Sequence, residues 1–514
     1  MSGAVHGRER VAVLTAAEST ALDQKAREDD GVPERALMEN AGRAVAMVID
    51  RLFPTGRVVA MVGSGNNGGD ALVALRSLQT WGRDVAYLVT GSRDPDSRLL
   101  TGFPVPRLDP ADAGADLAGA AVVVDGILGT GATGEPREPG ASWIKRMNAS
   151  GRPIIALDIP SGVDPTTGAV PGVAVDAVAT IQFGWPKTGA FFQPGRTRCG
   201  RIVAVEIGFP PLSPDEAAAA VITPDWARAR LPAREPDAHK NSVGRVLVVA
   251  GRRDVSGAAA IAGHSAMRAG AGYVRIASVE ANRTILQGLV PEALFVDRSD
   301  RSALEEAVAE SDAVLIGPAL GTDDAAVAVL DRVLACVDGR GCVLDADAVT
   351  ILAGRETGFR GLGSRALLTP HPGEMSRVTG MPTPQVRADP MARAREVAED
   401  TGTTVLLKGA PSVVAAPGEP VLIAALGSSD LATAGMGDQL GAAAATFLAA
   451  GSEPAVAGGL ALFYGSRAAE LAGRGRSLTP HDVADAFHLA YADPGPARSS
   501  LDLPFVLFDQ PARW

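Results

Sequence analysis

The chain has 514 residues, of which 46% are hydrophobic, 21% charged and 4% aromatic. This composition indicates a globular protein with more than one core and excludes a disordered or collagen-like chain. The net charge of −11, without a basic tract, argues against nucleic acid as a partner. Backbone amides can still hold a phosphorylated small molecule. At about 150 residues per domain, the length predicts two to four domains.

Targeting and membrane signals are missing from the sequence pattern. The first ten residues, MSGAVHGRER, lack the apolar core of a signal peptide. The most apolar stretches, such as residues 441–451, are too short to cross a bilayer. Cys199, Cys336 and Cys342 lie far from any CxxC spacing and are typical of reduced structural thiols. We therefore expect a cytoplasmic protein with no membrane partner.

Short apolar runs alternate with helical patterns through the first 205 residues. This alternation predicts a parallel sheet covered by helices on both faces. The predicted strands are Val58–Val62, Val85–Val89, Val122–Val124, Ile154–Leu157, Ala179–Phe183 and Ile202–Val205. A helix is predicted over Asp70–Trp81. The proline-rich stretch Gly208–Thr223 breaks the pattern and is interpreted as a linker between domains.

The same alternation restarts in the second half of the chain. Strands are predicted at Val246–Val249, Val274–Ala277, Ala313–Ile316, Val343–Leu344, Ala366–Leu368 and Val405–Leu407, with a hairpin at Ser412–Ala415 and Val421–Ala424. From Met436 onward the pattern is mainly helical. Residues 494–514 show no clear period, so no element is predicted there.

A glycine- and asparagine-rich segment, Gly63–Asp70 (GSGNNGGD), follows the first predicted strand. It contains the GxGxxG pattern of dinucleotide-binding folds. The next strand, however, ends at Thr90 without the acid that holds a ribose hydroxyl. Asp70, expected in the first turn of the helix, would also repel a pyrophosphate. The segment therefore favours hydroxyls, amides or a cation, or it is a turn that only packs.

Polar side chains follow several strands of the first predicted sheet. Asn67, Asp125, Asp158 and Ser161 all fall at its carboxyl edge, where ligands bind in open parallel sheets. Oxygen ligands from several loops can hold a hard cation, and a carboxylate among them can act as a general acid or base. Each residue alone is more typical of a cap or turn. Their shared edge favours a functional site.

The segments GSGNNGGD, VVDGILGTG and ALDIPSGVD, with Met38–Gly42 and Pro186–Gly189, resemble the NAD(P)H-hydrate epimerase family over nearly all of residues 1–210. The resemblance implies a Rossmann-like three-layer αβα domain, assigned to residues 1–215, that interconverts the two epimers of hydrated NAD(P)H. It implies a potassium ion held by Asn67, Asp125 and Ser161, with Asp158 as the acid or base. The implied hydrate-binding residues are Asn66, Asn67, Gly68, Gly69, Asp70, Gly129, Thr130, Gly131, Ala132, Thr133, Gly134, Glu135 and Asp158.

The second half contains a glycine-rich helix start, Ala432–Gly441 (ATAGMGDQLG). Free amides at such a start form an anion site. Asp438 beside them is placed to take a proton from a hydroxyl that attacks a phosphoryl group. The alternative is an ordinary helix start stabilised by an acid. This segment alone favours neither interpretation.

Other loops of the second half favour a nucleotide site. Lys408–Ser412 follows a strand and offers amides and a cation, and His371 lies between two prolines at another strand end. Leu344–Asp347 (LDAD) and Gly317–Gly321 (GPALG) end two further strands. With SGAAA, TPHPGE, KGAPS and AGMGDQL, these loops resemble the ribokinase-like superfamily. More narrowly, they resemble the ADP-dependent NAD(P)H-hydrate dehydratase family.

This second resemblance implies a ribokinase-like three-layer αβα domain over residues 223–495, followed by an unassigned tail, 496–514. Asp438 would be the catalytic base, and magnesium would accompany ADP. Hydrate contacts would be Ala258, Gly321, His371 and Asp438, and nucleotide contacts would be Lys408, Gly409, Ala410, Pro411, Ser412 and Gly437. The expected partners are small molecules, NAD(P)H hydrate and ADP, together with further copies of the chain in a homo-oligomer.

The hypothesis is therefore repair of a damaged cofactor in two steps. The first domain equilibrates the R and S hydrates, and the second restores NAD(P)H from the S epimer at the expense of ADP, giving AMP and phosphate. One alternative is a vitamin or sugar kinase fused to a nucleotide-sensing domain. Another is a first domain that binds nucleotides without catalysis. The product of the reaction and an assay of epimer exchange distinguish these readings.

Overall fold

A computed structural model describes residues 5–212, 216–337, 339–356 and 358–512. These residues divide into two compact units. Unit 1 contains the described residues up to Thr223 and those from Gly495 onward, and unit 2 is Pro224–Pro494. Both units are mixed α/β structures with large, mostly parallel sheets, which confirms the predicted fold class. Within the described part of the chain, no helix combines the length and the apolar character needed to cross a membrane.

Up to Thr223 the chain alternates strands and helices. The strands are β1 (His6–Gly7), β2 (Ala12–Val13), β3 (Val58–Val62), β4 (Val85–Val89), β5 (Val122–Gly126), β6 (Ile154–Leu157), β7 (Ala179–Phe183), β8 (Arg201–Val205) and β9 (Ala219–Ile222). The α-helices are α1 (Ala16–Glu28), α2 (Glu34–Leu52), α3 (Asn66–Thr80), α4 (Ala113–Gly119), α5 (Gly140–Ala149) and α6 (Gly195–Cys199).

From Pro224 onward the alternation continues and then becomes helical. The strands are β10 (Arg245–Val249), β11 (Tyr273–Ser278), β12 (Leu294–Asp297), β13 (Ala313–Ile316), β14 (Gly341–Leu344), β15 (Ala366–Leu368), β16 (Thr404–Leu407), β17 (Val413–Ala415), β18 (Val421–Ala424) and β19 (Val506–Gln510). The α-helices are α7 (Pro224–Arg230), α8 (Gly257–Ala269), α9 (Arg283–Leu289), α10 (Arg301–Ala309), α11 (Asp324–Cys336), α12 (Ala346–Ala353), α13 (Pro372–Thr379), α14 (Thr383–Ala388), α15 (Pro390–Thr401), α16 (Met436–Ala449), α17 (Pro454–Ala472), α18 (Pro480–Asp485) and α19 (Phe487–Ala492).

The sheet of unit 1 has the strand order β1-β19-β8-β7-β6-β5-β3-β4 and is parallel from β8 to β4. Alternate residues of β3 face opposite layers because successive side chains of a strand point to opposite faces. Val58, Ala60 and Val62 pack in the core that contains α2 and α3. Val59 and Met61 pack in the core that contains α4 and α5. Both faces are therefore buried, as expected for a parallel sheet.

The order of strands places a crevice between β3 and β5. The chain leaves β3, forms α3 and β4 on one side, and then returns to form β5 on the other side of β3. Loops that leave the two strands in opposite directions open a crevice at their carboxyl ends, and ligands bind there in open α/β sheets. The topology of unit 1 therefore defines its candidate site.

The sheet of unit 2 has the order β12-β11-β10-β13-β14-β15-β16-β17-β18. It is parallel through β16, and β17 and β18 are added as an antiparallel hairpin, as predicted. Glycines allow two helices to lie close to the sheet. A Cβ on Gly441 of α16 would lie 3.1 Å from Leu315, and one on Gly458 of α17 would lie 3.4 Å from Leu406 and Val414.

The structure corrects three local predictions. Helix α3 begins at Asn66 rather than Asp70, so the Asn-Gly segment is its first turn and Asp70 lies one residue beyond that turn. The stretch 208–223 is not only a linker, because it contains β9, which pairs with β2. Residues 213–215 of this stretch lie outside the described residues. Residues 506–510, for which no element was predicted, form β19 between β1 and β8 in unit 1.

Candidate active sites

A cavity of about 480 Å³ opens at the carboxyl edge of the unit 1 sheet. It lies at the crevice between β3 and β5, and helices α1 and α2 also contribute to its wall. Its lining includes Ser64–Asn67, Asp70, Ile127–Ala132, Asp158 and Lys187. A concave site with convergent polar groups at a switch point of the sheet is the usual form of a small-molecule site.

Two glycines bring the first turn of α3 against the loops beside it. A Cβ on Gly68 would lie 2.0 Å from the carbonyl oxygen of Gly63, and a Cβ on Gly63 would lie 2.2 Å from that of Ile127. Any other residue at either position would collide with backbone. The two glycines therefore position the turn, and they place Asn67 at the loop after β5.

Asn67 is buried and its amide orientation is set by two carbonyl groups. Its Nδ2 donates to the carbonyl oxygens of Leu128 (2.7 Å) and Leu157 (3.2 Å). Its Oδ1 is buried and accepts no hydrogen bond from the described residues. A buried acceptor without a partner is costly. This atom therefore has the free lone pairs that a cation needs.

Asp125 and Ser161 form a fully buried pair next to Asn67. The Asp125 carboxylate accepts hydrogen bonds from the Ser161 amide (2.8 Å), the Ser161 hydroxyl (2.7 Å) and the Ile127 amide (3.2 Å). Burial raises the pKa of Asp125 to about 6, and these hydrogen bonds oppose the shift. The amide of Leu128 donates to Ser161 Oγ (2.9 Å), so one network joins the loops after β5 and β6.

Asp158, directly after β6, forms an ion pair with a buried lysine. Its Oδ1 lies 2.8 Å from Lys187 Nζ, and its Oδ2 accepts from the Thr130 amide (3.2 Å). Lys187 Nζ also donates to the carbonyl oxygen of Phe183 (2.7 Å). The lysine residue as a whole is 2% exposed. Asp158 has a φ of 62°, in the left-handed region that non-glycine residues rarely adopt. Such strain at a cavity wall is typical of functional residues.

Lys187 is a functional candidate that no sequence pattern singles out. It belongs to the Pro186–Gly189 segment, and a single lysine carries no spacing signal. The available signal was positional: Lys187 follows β7, which is the neighbour of β6 and shares its carboxyl edge. A lysine after one strand and an aspartate after the next one are expected to meet at that edge.

The other predicted residues of unit 1 lie at different depths. Gly129–Ala132 line the cavity, whereas Gly68 and Gly69 are buried in α3. Asn66 lies at the cavity mouth and donates from Nδ2 to Glu34 Oε1 (3.0 Å). Thr133, Gly134 and Glu135 are exposed and are not part of this cavity wall. Asp70 is buried in the wall, and its pKa is raised well above its usual value by burial, then by the charges of Asp158 and Asp23.

Unit 2 also concentrates polar groups at the carboxyl edge of its sheet. Lys408 Nζ, after β16, donates to Asp345 Oδ1, after β14, at 2.6 Å. Thr369 Oγ1, after β15, donates to the same oxygen at 2.9 Å. Burial disfavours the ammonium of Lys408, but the carboxylates of Asp345, Glu374 and Asp438 outweigh burial and raise its pKa. Lys408 therefore remains charged at neutral pH.

The first turn of α16 faces this ion pair. Gly435, which precedes the helix, has a φ of 87°, a conformation that glycine adopts without strain. A Cβ on Gly437 would lie 3.4 Å from Lys408 Nζ and 3.9 Å from Asp345 Oδ2, so the helix start lies directly against the pair. Burial, and then the charge of Asp345, raise the pKa of Asp438 to about 7, and Lys408 opposes the shift. A carboxyl group with a pKa near neutrality is suited to proton transfer.

The remaining predicted residues of unit 2 lie in other loops and helix starts of this unit. His371 caps α13: its Nδ1 accepts from the Gly373 amide (2.9 Å), and its Nε2 lies 3.4 Å from Glu374 Oε1. The Gly321 amide donates to Asp347 Oδ2 (2.8 Å), which joins the loops after β13 and β14. Ala258 lies half-buried in the first turn of α8. In the Lys408–Ser412 loop, Ser412 Oγ accepts from the Gly409 amide (3.1 Å), while Ala410 is exposed and Pro411 is buried.

Fold and sites together define an enzyme with two α/β units, each with buried acids and a lysine at the carboxyl edge of its sheet. Residues 34–189 match the family model described as YjeF-related protein N-terminus. Residues 246–488 match the model described as NAD(P)H-hydrate dehydratase.

Relatives match over nearly the whole chain. The bifunctional NAD(P)H-hydrate repair enzyme of Salinibacter ruber is 36% identical, over 92% of this chain and 95% of its own length. The enzyme of the same description from Moorella thermoacetica is 34% identical, over 90% and 93%. The solved ADP/ATP-dependent NAD(P)H-hydrate dehydratase of Bacillus subtilis is 29% identical and covers 53% of this chain and 98% of its own, with a TM-score of 0.47. The chain belongs to the family of bifunctional NAD(P)H-hydrate repair enzymes.

Proposed function

We propose that unit 1 epimerises R- and S-NAD(P)H hydrate and that unit 2 dehydrates the S epimer to NAD(P)H at the expense of ADP. The observation that carries the proposal is the placement of Asp438, whose pKa is near neutral, at a helix start beside Lys408. The relatives described as bifunctional NAD(P)H-hydrate repair enzymes, which are about a third identical over most of the chain, support it. Three free cysteines fit the reducing cytoplasm that we infer for the protein.

In unit 2 the proposed chemistry is activation of a poor leaving group. Asp438 takes the proton of the hydrate's ring hydroxyl as that oxygen attacks the terminal phosphorus of ADP, and AMP leaves. The carbon–oxygen bond of the phosphate ester then breaks, the neighbouring carbon loses a proton, and the ring double bond returns. Hydroxide leaves slowly at neutral pH, whereas phosphate is a good leaving group. This difference explains why a nucleotide is consumed.

The binding groups proposed for unit 2 follow the two halves of this reaction. We propose that Lys408 and the amides at the start of α16 stabilise the charge that develops on the phosphoryl group, which is supported by the position of this helix start against the Lys408–Asp345 pair. Magnesium would arrive with ADP and neutralise its phosphates. We assign the nucleotide to Lys408–Ser412 and Gly437, and the hydrate to Ala258, Gly321, His371 and Asp438.

In unit 1 we propose that a potassium ion is held by Asn67, Asp125 and Ser161. The unpartnered buried Oδ1 of Asn67, with a carboxylate and a hydroxyl in the adjoining network, fits a hard cation that takes oxygen ligands. The ion would fix the loops that carry the hydrate-binding residues Asn66–Asp70 and Gly129–Glu135. Asp158, held by Lys187, is the proposed acid or base. Assembly into a homo-oligomer remains a prediction.

The test of the dehydratase assignment uses the whole chain with purified S hydrate and ADP. The Asp438→Asn variant is expected to lower kcat by about 100-fold or more, since a general base typically contributes a factor of about 10² to 10⁴. The measurements are the absorbance of reduced nicotinamide and the release of AMP and phosphate. As a matched control, Glu306→Gln changes an exposed acid on α10 and leaves both unchanged.

Two results would contradict the dehydratase assignment. One is an Asp438→Asn variant that restores NAD(P)H at the wild-type rate. The other is a stable phosphorylated alcohol that accumulates without restored absorbance, which is the product expected of a small-molecule kinase.

A further inference from the structure

Asp70 is a buried carboxyl group in the unit 1 cavity that has no assigned chemical step. It is 7% exposed, yet no hydrogen bond or ion pair with another described residue involves its carboxyl group. The other two buried acids of this site are well supported. Asp125 accepts three hydrogen bonds, and Asp158 contacts Lys187 and the Thr130 amide. An unsupported buried acid beside a ligand cavity is expensive unless it is protonated.

The charges around Asp70 favour its protonated form. Asp158 faces it from the end of β6, Asp23 from α1, and Glu34 from α2 also lines the cavity. The only cationic side chain in the described cavity wall is that of Lys187, whose ammonium contacts Asp158 rather than Asp70. Burial and the charges of Asp158 and Asp23 accordingly raise the pKa of Asp70 well above its usual value. Among the acids that line the cavity, Asp70 is therefore the buried carboxyl group that most readily keeps its proton, whereas Asp158 is paired with Lys187.

We propose that Asp70 is a second catalytic residue of unit 1, the general acid that protonates the departing hydroxyl of the hydrate while Asp158 serves as the base. Lys187 is then a positioning residue that holds the carboxylate of Asp158 in place. The inference rests on the proposed epimerase function of unit 1 and assigns that site an acid and base pair. A carboxyl group that burial keeps protonated is a common choice of general acid at such sites.

The proposed exchange balances in protons and electrons. Hydration of an enamine places the hydroxyl on the carbon next to the ring nitrogen, because the nitrogen lone pair stabilises positive charge there. Asp70 gives its proton to this hydroxyl, the carbon–oxygen bond breaks, water leaves, and the lone pair forms a carbon–nitrogen double bond.

Water then adds to the opposite face of the planar cation. The π electrons return to nitrogen as the new carbon–oxygen bond forms, and Asp158 takes the proton of the adding water. That proton passes through water in the cavity back to Asp70, which restores the starting pair. No redox step is involved.

The test measures R to S exchange by the whole chain without ADP, using chiral chromatography of purified hydrate. Asp70→Asn is expected to lower kcat for exchange by about 100-fold or more, with KM changed less than about threefold. The wild-type rate is expected to fall as pH rises through the pKa of Asp70, because the acid must carry its proton, and this alkaline limb disappears in the variant. Asp112→Asn, an exposed acid before α4, is the matched control and keeps the wild-type rate.

Folding of the variant is checked within the same chain. Asn is close in shape to a protonated Asp, so thermal unfolding and the dehydration of S hydrate by unit 2 are expected to stay unchanged. Exchange by Asp70→Asn within about threefold of wild type overturns the role of Asp70 and leaves the epimerase function intact. Failure of the wild-type chain to accelerate exchange overturns the epimerase function itself, and this inference with it.

Discussion

The candidate sites of the two units share a lysine–aspartate pair with a second buried acid nearby. In each unit a lysine pairs with an aspartate at the carboxyl edge of the sheet: Lys187 with Asp158, and Lys408 with Asp345. In each unit a second buried acid nearby, Asp70 or Asp438, has a raised pKa and no such pair. Each site therefore combines an acid held by a lysine with a second acid whose pKa burial raises, and this second acid is the candidate for proton transfer.

The raised pKa of Asp438 predicts how the rate of dehydration depends on pH. The proposed role of Asp438 as a base requires its ionised form, and its pKa is raised to about 7 by burial and by Asp345. We expect kcat/KM for S hydrate to rise with pH through about 7 and to level off above it. Because the charge of Asp345 contributes to the shift, Asp345→Asn moves the rise to lower pH. Initial rates across the pH range check both statements, and a profile that falls through this range would contradict the role of Asp438 as base.

The sequence predicted some site residues and not others for a physical reason. Asp158 and Asp438 can be placed from the residues next to them in sequence. Asp158 directly follows an apolar strand, and Asp438 lies in a glycine-rich helix start. Lys187 and Asp345 lie close to these acids only because the order of strands in each sheet brings distant segments together. The sequence pattern indicated Asp345 only as an acid at a strand end, and it did not indicate a role for Lys187. Contacts between residues distant in sequence require the topology, which no local pattern contains.

At the scale of elements, the apolar runs of the central strands were enough to predict them. Strands β3, β4, β6, β7, β13 and β15 begin and end where the runs do. The sequence pattern did not predict strands β1, β2, β9, β12 and β19. Most of these strands are short and lie at or near sheet edges, and β19 comes from a segment that is distant in sequence from its neighbours. The start of α3 was predicted too late because glycines favour loops by propensity. Here the close contact with Gly63 and Ile127 outweighs that preference.

The first turn of α3 gives a test at this scale. In Gly68→Ala, the new methyl group would collide with the carbonyl oxygen of Gly63, 2.0 Å away. We expect a loss of about 1 to 3 kcal/mol in the unfolding free energy of unit 1, the usual cost of overpacking, and weaker hydrate binding. Gly65→Ala is the control for stability, because a Cβ there has no atom within 4 Å. Chemical denaturation measures both, and equal stability of the two variants would contradict this explanation of the glycine.

At the scale of the whole molecule, the chain order and the two units do not coincide. Unit 1 is completed by β19, which the chain supplies after unit 2 has ended. Asp509 of β19 forms an ion pair with Arg201 of β8 (2.6 Å), and Phe508 packs on Phe191. The proposed epimerase unit therefore depends on residues that follow the dehydratase unit. This dependence couples the two activities to a single covalent chain.

We propose that the two units act in sequence on the same damaged cofactor. Recovery of reduced nicotinamide from an equal mixture of R and S hydrate with excess ADP tests this sequence of reactions. The wild-type chain is expected to convert the whole mixture in one continuous course. Asp158→Asn is expected to convert the S half at the wild-type rate and the rest only as fast as the epimers exchange spontaneously. A wild-type chain that stops at the S half, or an Asp158→Asn variant that finishes at the wild-type rate, would contradict the claim.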